Sequence, residues 1–374
     1  MRMLTDSSFR HAILRLQPQA MTLKDRLHGA AKWFRRHNHP RLTLDAAFYE
    51  GLKREGNVLS KDMNFDEPDN LEPDQEEVLV TKKKVVGNFV NYCARREDGN
   101  GFAHVVNDMY GVAQQSLYND NKNLKRDMHK LVSPDPFTKY SQVQDWQPKF
   151  KADQGLKNLL VTKYWMTRTD TLAFKVGNAE EQKRILQKYQ DVDFALDHNN
   201  FPAFTYDVDL MNPVRAIDGF LLAPILFRVG QYIITGPGTV GQTPRSRPIA
   251  ANARGGNMHI MRIVEITPPL IFYICVVTHF AMSTVTYWNE WDGDFSLYQF
   301  WDQLEFNFHN QSKEWQKQVL RTWNLNIFGS ERGRGDIPPP VRCAPVLSDS
   351  DVLRHQRAEE RATGAAAAAG ASGA

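Results

Sequence analysis

Cysteine is scarce in this chain: Cys93, Cys275 and Cys343 lie far apart among 374 residues and form no C-x-x-C pair. An odd number of widely spaced thiols argues against a disulfide framework and against a zinc site built mostly from thiolates. This usage is typical of a reducing compartment, so we expect an intracellular protein of the nucleus or cytoplasm. Because Cys275 lies within an apolar segment, we predict that its thiol is buried and inert.

Long hydrophobic runs are also missing. The most apolar stretch, residues 268–285, is uninterrupted only from Leu270 to Val277, whereas a membrane-spanning helix needs roughly 20 apolar residues. A secretory signal is not expected, because Arg10 and Arg15 interrupt any apolar core near the N-terminus. We therefore predict a buried helix at 268–285 and no membrane span.

The common catalytic signatures are absent as well. The 11 histidines include no H-E-x-x-H pair and no Cys/His zinc spacing, and no G-x-S-x-G elbow occurs. His279 lies on the apolar helix, where a hydrogen-bonded core histidine is the expected interpretation. The sequence predicts no cofactor and favours a non-catalytic protein.

Charge of one sign is concentrated in segments, although the net charge of +3 is too small to indicate a nucleic-acid partner. Residues 1–64 carry a basic excess and include a helical pattern, whereas residues 66–77 carry seven acids and no base. We predict four regions: a basic, partly helical N-terminal region (1–64), an acidic linker (65–77), a helical core (78–328) and a disordered low-complexity tail (329–374).

Apolar residues at helical spacing dominate the predicted core. The first such pattern, in the basic region, comprises Leu23, Leu27, Ala30 or Ala31 and Phe34. A second, between residues 104 and 132, comprises Val106, Met109, Tyr110, Ala113, Leu117, Leu124, Met128 and Leu131. A helix over 178–190 is predicted to begin at Asn178, with Glu181 completing a capping box.

The strongest patterns lie between residues 215 and 328. One stripe combines Leu221, Ile225, Val229 and Ile233, with a kink predicted at Pro224. Thr267 is predicted to cap the central helix, which starts at Pro268. Two further faces come next: Leu297, Phe300, Trp301, Leu304 and Phe308, then Trp315, Val319 and Trp323 before a terminating Gly329. The predicted fold is all-α, an irregular multi-helix globular domain.

The glycines of "GPGTVG", residues 236–241, fit the G-x-G-x-x-G spacing of a dinucleotide-binding turn. Such a turn needs a strand before it and a helix after it, because the helix N-terminus holds the phosphates. Here a helical pattern precedes the glycines, and Pro244, Pro248 and two further glycines prevent a helix directly after them. We expect Gly236 and Gly238 to end a helix and turn the chain.

Two basic segments are candidates for binding anions. Residues 245–262, called the arginine loop below, contain four arginines and one histidine but no acid: Arg245, Arg247, Arg254, His259 and Arg262. Residues 32–41 interleave Trp33 and Phe34 with basic residues that include Arg35 and Arg36. The alternatives are a solvated surface loop and an amphipathic helix end with its aromatics turned inward.

The leading functional hypothesis is a non-catalytic interaction module that binds nucleic acid or an acidic protein partner through these segments. A second hypothesis is a metal-assisted enzyme that uses the D-x-D pairs Asp191 with Asp193 and Asp207 with Asp209. A purely structural helical scaffold is the third.

Four segments together resemble an uncharacterised domain family of mushroom-forming basidiomycete fungi, over roughly residues 215–329. They are "GFLLAPILFRVGQYIITGPGTV", "NARGGNMHIMR", "ITPPLIFYICVVTHFAMST" and "WNLNIF". The sequence departs from that pattern where "NARGGNMH" replaces an Asn-Ala followed by His-Gly-Met, and where one tryptophan rather than two precedes "NLNIF". The resemblance implies an all-helical intracellular protein and no particular chemistry.

Overall fold

The structure is a computed structural model that describes residues 23–40, 101–132, 155, 158, 161–191, 194–242, 257 and 263–334. Across these residues the chain is mainly helical, which confirms the predicted all-α class. The helices are α1 (Leu23–His37), α2 (Gly101–Asp127), α3 (Thr162–Trp165), α4 (Arg168–Val176), α5 (Ala179–Gln190), α6 (Pro224–Ile234), α7 (Pro268–Met282), α8 (Leu297–His309) and α9 (Lys313–Phe328). A small antiparallel hairpin, β1 (Trp291–Asp292) with β2 (Phe295–Ser296), precedes α8.

Helix α7 forms the centre of the core, as predicted. Every residue from Leu270 to Met282 is buried, because α1, α2, α6 and α8 all pack around this helix. A helix that is apolar all round needs such enclosure. None of the described helices is both long enough and apolar enough to cross a bilayer.

Helix α1 packs against α2 and α7. The predicted inward residues Leu27, Ala30, Ala31 and Phe34 are buried, so the helical pattern within the basic N-terminal region is confirmed. This region was predicted as separate from the core at 78–328, yet its described helix covers the core helices directly.

Helix α2 also follows its predicted pattern, with Val106, Met109, Leu117 and Leu124 buried. The assignment of Tyr110 to the apolar face was wrong, because 47% of this residue is exposed.

The predicted stripe on α6 requires a correction at its start. Leu221 is not on the helix: its φ is 61°, its N–H donates to the Thr205 carbonyl oxygen at 2.7 Å, and its own carbonyl accepts from Trp323 Nε1 at 2.9 Å. Pro224 does not kink the helix but begins it. The reason is that proline suits the first turn, while the residue before it is restricted to extended backbone.

Some of the predicted helix termini are confirmed and others need correction. The Asn178 side chain accepts from the Glu181 N–H at 3.0 Å, although the Glu181 carboxylate bonds to Arg184 instead of returning to close a capping box. Gly329 ends α9 with φ 77°. Thr267 precedes α7 but its hydroxyl caps nothing, because Pro269 has no N–H and the Leu270 N–H bonds to the Thr267 carbonyl.

The glycine turn behaves as expected at its start. Helix α6 ends at Ile234, Gly236 has φ 110°, and a short 3₁₀ turn spans Pro237–Thr239. A helix therefore stands where a dinucleotide motif requires a strand. The residues immediately after the turn, 243–256, lie outside the described part of the chain.

By its contacts the chain divides into two compact units. The first comprises Met1–Pro248 and Arg254–Arg334, and contains all the helices given above. The second comprises Ile249–Ala253 and Gly335–Ala374, all of which lie outside the described residues.

Candidate anion-binding site

The start and middle of the region between α6 and α7 are held at the carboxyl end of α6. The Gly241 N–H donates to Gln231 Oε1 at 3.2 Å. Within the arginine loop, the Asn257 side-chain amide donates to the Ile233 carbonyl oxygen at 2.7 Å. This second bond satisfies one of the carbonyl groups that a helix leaves without an internal partner. Asn257 is therefore attached to the core, whereas the arginines of the loop lie outside the described residues.

The segment that leaves the loop is held against the residues that follow α9. The Arg334 N–H donates to the Val264 carbonyl oxygen at 2.7 Å. Gly333 makes this approach possible: its φ is +80°, and a Cβ atom at this position would lie 2.3 Å from the same oxygen. Only glycine accommodates both the conformation and the contact. Arg332 and Arg334 are thereby placed beside Val264, which follows the arginine loop by two residues in the sequence.

A buried amide strengthens this junction. The Ile266 N–H donates to Asn324 Oδ1 at 2.8 Å, and the Asn324 amide nitrogen donates to the Glu331 carbonyl oxygen at 3.3 Å. One side chain of α9 therefore binds both segments. Since the amide satisfies backbone groups on each, it holds residues 263–266 and residues 330–334 together.

Arg334 is a partly buried cation. Burial lowers the pKa of its guanidinium, and within the described chain no carboxylate forms an ion pair with it. Glu265 and Glu331 lie in residues 263–266 and 330–334, so these two segments together carry as many acids as arginines. An excess of positive charge in the sequence around them therefore comes from the arginine loop. A partly desolvated guanidinium is stabilised by a bound anion, because the charge-assisted hydrogen bonds replace lost hydration.

Sequence reasoning missed this arginine pair because it assigned residues 329–374 to a disordered tail. The structure places residues 330–334 against Val264 instead. The only sequence signal was a glycine between two arginines directly after a helix, and its meaning depends on a contact with a residue 70 positions away.

Arg36 requires a correction, because the structure places it in the core and not at a binding surface. It is 2% exposed, and its Nε and Nη2 atoms donate to the two carboxylate oxygens of Asp120 at 2.8 and 2.9 Å. The Tyr273 hydroxyl donates to the same carboxylate at 2.8 Å. Burial lowers the pKa of Arg36, but the Asp120 carboxylate outweighs it and raises the pKa above its usual value.

Arg35, the neighbouring candidate, remains accessible. It is partly exposed, and its Nη1 atom donates to the Pro40 carbonyl oxygen at 3.1 Å. Phe34 is buried and Trp33 stacks on His37 with a ring separation of 4.2 Å. The aromatic side chains of 32–41 therefore pack against the protein, as the amphipathic alternative predicted, and Arg35 alone of the two named arginines can meet a ligand.

A family model described as a family of unknown function, DUF6698, matches residues 112–328. This match covers more than half of the chain. The chain belongs to the DUF6698 family. A search of curated proteins found no match, and neither did a search of solved structures.

The DUF6698 match holds most of α2 and all of α3 to α9, whereas α1 lies before it. The buried ion pair therefore crosses the family boundary: Asp120 and Tyr273 lie inside the match and Arg36 lies outside. The end of the arginine loop lies inside the match, while Arg332 and Arg334 follow it. The match confirms an uncharacterised helical domain and assigns no chemistry to it.

The D-x-D residues of this DUF6698 chain show no convergence within the described part of the chain, which has no group of three or more His, Cys, Asp or Glu residues that could hold a metal ion. Asp191 is an exposed residue at the end of α5. Asp207 accepts from the Asp209 N–H at 3.1 Å, and burial raises the pKa of its carboxyl. Asp193 lies outside the described residues.

The two groups predicted to be inert are buried in the core. His279 is 0% exposed, and its Nε2 atom forms a 2.9 Å hydrogen bond with Asp292 Oδ2. The imidazole stacks on Phe295 with a ring separation of 4.2 Å. Burial raises the pKa of the Cys275 thiol, which confirms its interpretation as an unreactive core residue.

Proposed function

We propose that this DUF6698 chain is a non-catalytic interaction module that binds nucleic acid or an acidic protein partner. The principal binding surface is the arginine loop together with Arg332 and Arg334, and Arg35 supplies a further contact. The observation that carries the proposal is the partly buried Arg334 guanidinium, which has no carboxylate partner among the described residues. The backbone N–H of the same residue bonds to Val264, two residues after the loop.

The composition of the loop supports the same assignment. Arg245, Arg247, Arg254 and Arg262 carry four positive charges with His259 among them and no acid. Arginine binds phosphate and carboxylate groups through paired donors, so it is suited to both kinds of anionic polymer. Two contacts of described residues support the assignment: Asn257, within the loop, bonds to α6, and Val264, two residues after the loop, accepts from the Arg334 N–H.

The test is the salt dependence of binding by the full chain. We expect binding of fluorescent duplex DNA, single-stranded RNA or an acidic peptide to weaken steeply as salt rises from about 50 to 200 mM. A variant with Arg245, Arg247, Arg254 and Arg262 replaced by Ala should lose most of this affinity, and its salt slope on duplex DNA should fall by up to about 0.9 per lost phosphate contact.

A matched control removes four exposed cations elsewhere: Lys183, Arg184, Lys317 and Arg321, each to Ala. This control should retain affinity within about two-fold, since surface substitutions away from the site have small effects. An equal loss of affinity in both variants would show that the ligands respond only to the net charge of the protein and not to the arginine loop. Absence of binding to all three ligands at low salt would end the proposal, and binding of the acidic peptide alone would identify the partner as protein.

The remaining alternatives are a metal-assisted enzyme and a helical scaffold. Titration calorimetry with Mg²⁺ or Mn²⁺ separates them, because only an enzyme that uses Asp191, Asp193, Asp207 and Asp209 gives binding heat that their Asn variants abolish. From the cysteine usage and the resemblance described above, we further propose that the protein acts inside the cell, in nucleus or cytoplasm, and originates from a basidiomycete fungus.

A further inference from the structure

The outer face of α2 carries a row of aromatic and basic side chains. Tyr118, Lys122 and Arg126 follow at intervals of four residues, which places them on one side of the helix. Tyr118 is 57% exposed, and the Arg126 side chain is 63% exposed. The Lys122 ammonium group lies 5.8 Å from the centre of the Tyr118 ring. The row therefore presents a ring face and two cations to solvent.

The two acids of this part of α2 are buried and paired, and one partner of Asp127 is Arg126 of the row, whose Nη2 atom donates to its carboxylate at 2.9 Å. Asp120 binds Arg36 and Tyr273 in the core. Asp127 accepts from the Tyr232 hydroxyl at 2.5 Å and from Lys130 at 3.0 Å. Although burial opposes ionisation, these hydrogen bonds and that of Arg126 lower the pKa of Asp127. From residue 111 to residue 130, both carboxylates are buried, so the exposed charges of the outer face are cations. Asp127 partly balances Arg126, whereas Lys122 forms no ion pair with a described carboxylate.

A second exposed tyrosine is held beside the row. Lys125 donates to the carbonyl oxygens of Val285 and Thr286 at 2.7 and 2.8 Å, and these residues immediately precede Tyr287. The next residue, Trp288, packs on Phe280 with ring centres 5.2 Å apart. Tyr287 itself is 82% exposed. Contacts on both sides thus fix its backbone next to α2, while its ring projects into solvent.

We propose that Tyr118, Lys122, Arg126 and Tyr287 form a binding platform for single-stranded nucleic acid. The cations bind successive phosphates, and the two rings stack on unpaired bases. This inference rests on the proposed function, since both require an anionic polymer, but it names a second surface and a ligand class. Duplex DNA hides its base faces, and an acidic peptide needs only the cations, so neither uses the tyrosine rings.

The experiment measures the affinity of the full chain for a fluorescent oligouridine, a DNA duplex and heparin. The double variant Tyr118→Ala/Tyr287→Ala should bind oligouridine about ten- to a hundred-fold more weakly, because stacking of each base on an aromatic ring contributes substantially to affinity. Its affinity for the duplex and for heparin should change by less than about two-fold. Tyr118→Phe/Tyr287→Phe should retain the affinity for oligouridine, because phenyl rings also stack.

Phe306→Ala provides the matched control, since Phe306 is a 65% exposed aromatic residue on α8. It should leave all three affinities unchanged. If oligouridine binding is insensitive to the double alanine variant while duplex and heparin still bind, the platform is wrong and the proposed function stands. Equal weakening of all three ligands also overturns the platform. Failure of all three to bind the unmodified chain overturns the platform too, and it overturns the proposed function as well if the acidic peptide also fails to bind.

Discussion

At the scale of single residues, the ion pair of Arg36 with Asp120 is the most consequential contact. Two hydrogen bonds join the charges, and the Tyr273 hydroxyl satisfies a further lone pair of the carboxylate. Desolvation makes such a pair costly to assemble and more costly to break, because either partner alone is a buried, uncompensated charge. The pair joins α1, α2 and α7.

We expect Arg36→Met to lower the free energy of unfolding by about 3–5 kcal/mol, because it leaves the Asp120 carboxylate buried without its cation. Adding Asp120→Leu should restore much of the loss, since the unpaired charge is then removed as well. Urea denaturation of the two variants measures the difference.

Arg35→Met is the control for this prediction, because Arg35 is the adjacent, partly exposed residue. Its cost should stay below about 1 kcal/mol. Similar costs at positions 35 and 36 would contradict a buried ion pair.

At the scale of helices, the hydroxyl residues that precede α9 and α7 differ in whether their side chains cap the helix. The Ser312 hydroxyl accepts from the Trp315 N–H at 3.3 Å at the start of α9. The Thr267 hydroxyl before α7 is buried and has no hydrogen-bond partner among the described residues. Similar residue types at equivalent positions therefore contribute differently, and the cause is the proline pair at the start of α7.

We expect Ser312→Ala to destabilise the protein by about 0.5–2 kcal/mol, the usual cost of losing a capping side chain. Thr267→Val should be neutral or stabilising by up to about 1 kcal/mol, because it keeps the side-chain volume and removes a buried, unsatisfied hydroxyl. Thermal unfolding of both variants tests this contrast. A larger loss from Thr267→Val than from Ser312→Ala would show that the hydroxyl has a role that these contacts do not reveal.

At the scale of the whole molecule, the helical core extends beyond the residues that define the DUF6698 family. Helix α1 lies before the match and still buries Leu27 and Phe34 against α2 and α7. Each such side chain contributes about 1.5–3 kcal/mol when fully buried. Together with the Arg36 ion pair, this sum approaches the total stability of an ordinary domain, about 5–15 kcal/mol.

A chain that begins at residue 41 should therefore lose cooperative unfolding and expose the apolar faces of α2 and α7. Calorimetry and binding of a hydrophobic dye detect these two changes. A synthetic peptide of residues 20–40 added to the shortened chain should restore part of the transition. A chain that ends at residue 334 is the control and should unfold like the full chain, and an unchanged transition without α1 would refute its place in the core.

Local sequence patterns were sufficient for the helical class and for much of the core. Periodic apolar residues identified α1, α2, α8 and α9, and the burial of α7 followed from its apolar composition. Asn178 and Gly329 were correctly placed at helix termini. These predictions succeeded because helix periodicity and capping depend on residues within a few positions of one another.

Contacts between distant positions decided the rest. The sequence predicted Arg36 to be a surface cation, but its ion pair with Asp120 places it in the core. The sequence also assigned Arg334 to a disordered tail, but the close approach of Gly333 and Arg334 to Val264 places it against the core. The segment that carries Tyr287 is held on α2, the helix of Tyr118, through the bonds from Lys125 to the residues after α7. The local sequence does not show whether a charged side chain faces water or a buried carboxylate. Its environment is created by the packing of helices that lie far apart in the chain.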